Sequence, residues 1–233
     1  MTGVLHVRVR TPYEAECAEQ GGADRIVLVP DSGRSPTPEL AAKVRRASTV
    51  HLRVLLRLRE DYTTDGGELT RLKGLAFSYR DAGADGFVYG FLNAMAGIDK
   101  PACAELAAEA WPWTFDRAID AVLDQTRAWT ELAALPRVDG ALTAGSAREV
   151  EQGIDRLLNH PDRAWLIAAG ALKPEHVPWL VRGGVTQFYV DQAPVTVDLV
   201  RAWRRLTDEE MARVRPGTVR PPVRRPVRSA DSP

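Results

Sequence analysis

Over the first 205 residues, short apolar runs rich in Val, Leu and Ile alternate with stretches of ten or more residues whose apolar positions recur at helical spacing. A buried run of four to eight residues followed by an amphipathic stretch marks a βα unit and a parallel sheet. The runs predict strands at Leu5–Val9, Arg25–Val29, His51–Arg57, Asp85–Tyr89, Trp113–Asp116, Val138–Leu142, Ala164–Ala168 and Gln187–Val190, each followed by a helix. A related phrase recurs at the helix-to-strand junctions: GGADRIVLV from residue 21, AGADGFVYG from 82, RVDGALTAG from 137 and GGVTQFYV from 183. In the first, second and fourth, a glycine stands where a helix would close in the left-handed conformation. Eight units with no linker before residue 214 predict one α/β domain over residues 1–213, a (β/α)8 TIM barrel. An open doubly wound sheet is the alternative.

Alternation within the strands sorts side chains between the barrel axis and the helix layer. Leu5, Val7 and Val9 are expected to face the helices, which turns His6, Arg8 and Arg10 inward or toward the mouth. In the third strand Arg53, Leu55, Arg57 and Arg59 share the inner parity, the last two at the carboxyl end where barrel sites assemble. Val27, Val29, Phe87, Tyr89, Thr114, Asp116 and Thr143 complete the expected lining, with Arg117 just beyond the fifth strand.

Charge refines this picture at one end of the chain. The 31 basic and 31 acidic side chains balance, yet Val214–Pro233 holds five arginines, five prolines and a single acid. That segment, near +4, is read as a disordered Pro/Arg-rich tail, and the body it leaves, near −4, argues against a nucleic-acid-binding surface on the folded domain. No apolar run reaches membrane-spanning length and the first residues lack a signal-peptide core, so a cytoplasmic protein without a membrane partner is expected. Self-association is left open. The two cysteines, Cys17 and Cys103, form neither a disulfide framework nor a CxxC motif.

The segments GGADRIVL, GRSPTPEL, LLRLRED, AGADGFVYG, TFDRAID, LTAGSA and GGVTQFYV, in that order, resemble the CutC family of copper-homeostasis proteins over Leu5 to Gln192. The resemblance implies a TIM barrel, a cytoplasmic location, a link to copper handling and copper as the associated ion. It also exposes departures. Where the family reads L-E-V-C in its first strand this chain has Leu5, His6, Val7, Arg8, and where it reads I-E-L-C in the second it has Ile26, Val27, Leu28, Val29. The family's T-F-H-R-A-F-D becomes Thr114 to Asp120 with Asp116 in the histidine position, and its P-G-G-G turn is reduced to Ala168, Ala169, Gly170, Ala171. Both family thiols are gone, so copper(I) held through sulfur is not expected, and no metal ligands are assigned.

An arginine-rich mouth needs anions, because a buried guanidinium without a partner is costly. Asp31, Glu60, Asp61, Asp116, Asp120 and Asp191 are near enough in sequence to the strand ends to supply them as ion pairs. The functional alternative is a small carboxylate or phosphate held by Arg57 and Arg59, with Arg8, Arg117, Tyr89 and Thr143 around it. If the barrel is an enzyme, His6 and Asp116 are the candidate acid–base pair. No lysine falls on a strand, which counts against Schiff-base chemistry.

Overall fold

Each βα unit begins with a strand that the sequence makes apolar on its outer parity and ends with a helix, six of the eight opened by a side-chain cap. Thr11, Thr37, Asp65, Asp99, Asp124 and Thr196 each accept a backbone N–H from the first turn of the helix that follows, and proline stands in the first turn of three of those helices. The computed structural model describes residues 2–108 and 111–214. The stretch expected to be a disordered tail lies outside the described residues from 215 onward.

The strands are β1 Val4–Val9, β2 Arg25–Leu28, β3 His51–Leu55, β4 Gly86–Tyr89, β5 Trp113–Phe115, β6 Val138–Thr143, β7 Leu166–Ala168 and β8 Gln187–Val190. The helices are α1 Pro12–Gly21, α2 Pro38–Ala47, α3 Gly66–Asp81, α4 Lys100–Ala107, α5 Gln125–Ala133, α6 Val150–Asn159, α7 Val177–Arg182 and α8 Val197–Arg213. All eight strands pair in parallel with their sequence neighbours, and β1 pairs with β8 to close the barrel. The doubly wound alternative is therefore wrong. At three of the four repeated junctions glycine takes the left-handed conformation, at Gly22, Gly83 and Gly184, while in the third repeat Arg137 adopts a positive φ of 61°.

Two apolar cores divide along strand parity. Leu5, Val7, Val9, Ile26, Leu28, Leu52 and Val54 belong to the core between barrel and helices. Val27, Leu55, Val88, Leu142, Ile167, Ala169 and Tyr189 form a smaller one on the barrel axis. Polar side chains flank that inner core at both ends, so the axis is layered: polar below, apolar in the middle, polar at the mouth. α8 ties the ring shut, since Arg204 donates to the Gly3 carbonyl at 3.0 Å and to Asp24 at 2.7 Å, while Asp24 also accepts from Leu5 N at 2.7 Å.

Candidate functional site at the barrel mouth

The lower polar layer explains where His6 goes. Arg53, 2% exposed, donates to the Asp139 carboxylate and to Thr114 Oγ1 at 3.2 Å, and Thr114 in turn donates to Asp139 at 2.9 Å. Two backbone features make this arrangement fit. Gly86 faces the axis, where a Cβ would sit 3.2 Å from Arg53 Cζ. Between Val138, opposite Trp113, and Ala141, opposite Phe115, β6 carries one extra residue, which lets both Asp139 and Leu142 face inward. His6 belongs to this layer: its Nε2 is 3.1 Å from Gln187 Oε1. Burial and the nearby guanidinium of Arg25 hold its imidazole far down, at about 3, against an ordinary 6.5. Asp116, by contrast, lies in the upper layer against Arg57 and the Ala118 N–H. The two candidate acid–base residues thus occupy opposite ends of the axis.

At the mouth the arginines and acids interlock. Arg8 reaches from β1 to Asp191 beyond β8 at 3.0 Å and to the carbonyls of Val29 and Pro30, each at 3.0 Å. Arg10 contacts Asp31 at 2.7 Å and Asp191 at 3.0 Å, and its Nη1 is buried with no acceptor within bonding range, the nearest carboxylate being Glu14 at 3.8 Å. Arg57 pairs with the 3%-exposed Asp116 and lies over the Tyr62 ring, 4.7 Å from its centre. The loop carrying Ser35 clamps the Arg57 backbone through two hydrogen bonds of 2.7 and 2.8 Å. Arg117 donates to Asp120 and to Glu149, both at 3.1 Å. Asp120 also accepts from Thr143 Oγ1 at 2.6 Å and Ala144 N at 2.8 Å, and burial raises its carboxyl above the ordinary aspartate range in spite of these donors.

Four expected lining residues stand elsewhere. Tyr89 points outward, stacks on Trp113 with ring centres 4.2 Å apart and donates to the Cys103 carbonyl at 3.4 Å. Phe87 likewise faces the helices. The inner parity of β4 belongs to Gly86 and Val88, because Arg53 and the opposing strands leave no room on the axis for two aromatic rings. Arg59 turns to the rim and pairs with Asp65 and Glu68 at the start of α3. Thr143 falls on the outer parity after the β6 bulge and serves Asp120 from behind the mouth. Tyr62 and Asp139 were invisible as site residues, since a tyrosine in a polar loop and an acid at a strand start carry no spacing signal.

This upper layer sits where the chain matches a family model described as the CutC family, over residues 4–193. The chain belongs to the CutC family. Among solved structures, this CutC-family barrel is similar to a putative copper homeostasis protein CutC from Streptococcus agalactiae, with 19% identity, TM-score 0.71, and 80% of this chain and 97% of that one covered. It is also similar to N-(5'-phosphoribosyl)anthranilate isomerase from Pyrococcus furiosus, with 14% identity and TM-score 0.61 over 89% of this chain and 99% of that one. A homocysteine methyltransferase from Escherichia coli matches with 12% identity and TM-score 0.66 over 88% of this chain and 96% of that one. At these identities the likenesses establish the fold alone.

The two thiols of this family member lie on separate helices. Cys17 on α1 and Cys103 on α4 are both buried, and burial pushes the Cys103 thiol up to about 12. Among the described residues one grouping has metal-ligand spacing, Glu151, Glu175 and His176, on the outside of the barrel. Two of its members already face the Lys173 ammonium, which bonds Glu151 and lies 4.0 Å from Glu175, while His176 Nδ1 accepts from Lys173 N at 3.1 Å. Among the described residues, neither the two thiols nor this grouping therefore offers copper(I) a pair of sulfur ligands. No described helix is long and apolar enough to cross a membrane.

Proposed function

We propose that this CutC-family chain serves a copper-homeostasis-type role, in the cytoplasm, as a binding protein for a small anionic metabolite at the barrel mouth, without holding copper(I) through sulfur. The observation that carries this reading is the state of Arg10. It presents a buried N–H with no acceptor, beside a carboxylate, Asp31, whose side chain is 81% exposed on a turn-rich loop. A ligand carboxylate or phosphate that displaces Asp31 would gain Arg10 and Arg8 together in two-point contact. Arg57 is less available, because its partner Asp116 is buried and would be stranded by the exchange. His6 lies outside this set, so the reading is of binding and not of acid–base catalysis.

Thermal unfolding in phosphate, sulfate or succinate, against chloride at equal ionic strength, tests it. The midpoint should rise with anion concentration by mass action. Arg10→Gln should abolish the rise, Arg59→Gln should leave it, and Asp31→Asn should enlarge it by removing the internal competitor. An unresponsive wild type, or a response indifferent to Arg10 and Asp31, would refute anion binding here. Anaerobic titration against a copper(I) chelator should show no stoichiometric submicromolar binding, and such binding would refute the sulfur-free reading.

A further inference from the structure

A cavity of about 1060 Å³ opens on the outside of the barrel, between α5 and α6, and reaches from Thr143 and Gly145 down to His160 and Trp165. It exists because α5 and α6 hardly touch, whereas α1 packs closely on both α2 and α8. The volume suits a ligand of cofactor or metabolite size. Its walls combine apolar side chains, Val122, Leu157 and Leu166, with the rings of Trp129, Trp165 and His160. Trp129 meets His160 edge to face at 4.4 Å, which fixes one wall as a rigid aromatic surface.

The charged groups in the lining differ in how they are used. Asp120, Asp124 and Asp162 each accept backbone N–H bonds, from Ala144 at 2.8 Å, Arg127 at 3.0 Å and Ala164 at 3.2 Å, and so act as caps and loop ties. Arg156 is different. It bonds Gln125 Oε1 across the groove at 3.1 Å and the Gly145 carbonyl at 3.4 Å, and both bonds come from Nη1. Among the described residues it pairs with no carboxylate, in contrast to Arg8, Arg10, Arg57 and Arg117 at the mouth. Its Nε–Nη2 edge, the edge that grips a carboxylate by two parallel bonds, has no partner among the described residues, and Arg156 shares the cavity lining with the aromatic wall.

We propose that the α5–α6 groove is a second binding site, for a planar aromatic carboxylate whose ring lies against Trp129 and Trp165 and whose carboxylate takes the free edge of Arg156. It is independent of the anion reading at the mouth, since it shares none of Arg8, Arg10 or Asp31. The test follows the indole N–H signals of the ¹⁵N-labelled protein during titration with naphthalene-2-carboxylate and, separately, with the neutral naphthalene-2-carboxamide. The acid should shift the Trp129 and Trp165 signals saturably, leave Trp113 and Trp203 in place, and bind at least tenfold more tightly than the amide. Arg156→Gln should erase that preference, Arg156→Lys should keep part of it, and Arg10→Gln should not alter it. Since Arg156 is solvent-exposed, its replacement should leave the fold intact. Absence of shifts up to the solubility limit, equal binding of acid and amide, or an undiminished preference in Arg156→Gln would each overturn the site.

Discussion

A side chain on the barrel axis has its chemistry set by the layer it occupies, and His6 and Arg57 show the two extremes. His6 is neutral first because it is fully buried, and second because charging it would place a third cation beside Arg25 and Arg53 in a layer whose acid, Asp139, is already engaged. Its depressed folded value means that the unfolded chain takes up the proton first. The stabilisation is complete above pH 6.5 and is lost as the pH falls from there toward about 3, at up to about 1.4 kcal/mol per pH unit for one proton. Urea unfolding between pH 7 and 4 should therefore be less pH-dependent in His6→Gln than in the wild type, and the His6 ring carbons should not titrate by NMR in the folded protein above pH 4. Arg57 is held by a buried partner, so Arg57→Ala leaves Asp116 stranded and should lower unfolding free energy by about 3–5 kcal/mol, read from the urea midpoint at constant slope. Parity located Arg8, Arg57 and Asp116 from sequence alone. It misassigned Tyr89 because a run of Gly, Phe, Val, Tyr, Gly is apolar on both parities, and only the volume of Arg53, in register with Gly86 on the neighbouring strand, decides which one faces in.

At the level of elements, the eight strands were legible because both of their faces are buried and glycine or a cap residue punctuates nearly every junction. Their ends shift by a residue or two, and β3 stops at Leu55, short of Arg57. The β6 bulge was not legible, because an extra residue leaves no compositional mark in Val138–Thr143 and its effect is felt only through the partner strand. How closely a helix approaches the barrel is likewise decided by contacts distant in sequence. Gly153 on α6 is the sharpest case: an added Cβ would fall on the Ala144 carbonyl oxygen and crowd Gly145. Because backbone rather than a flexible side chain blocks it, Gly153→Ala should push α6 outward and cost about 1–3 kcal/mol or more, although alanine is the better helix former. Hydrogen exchange should show the loss concentrated in α6 and the end of β6.

For the molecule as a whole, the arginine pairs at the mouth join loops that follow different strands, while the family match runs through the whole barrel, residues 4–193. What the resemblance could not supply was the groove on the barrel's flank, since Trp129, Arg156 and Trp165 come from separate elements and share no motif. One feature of closure reaches further. Arg204 fastens the last helix to the Gly3 carbonyl, and a Cβ on Gly3 would meet the Thr207 side chain, so the first strand and the last helix lie side by side. A ring of eight parallel units stitched in this way has no privileged first member. A permuted chain that runs from Val214 through a short glycine–serine linker into Thr2, and opens instead at the exposed Pro161–Asp162 turn, should refold to the same circular dichroism spectrum and a single cooperative transition. Read as topology, the order in which this barrel is synthesised is a convention, and its wiring diagram is a circle.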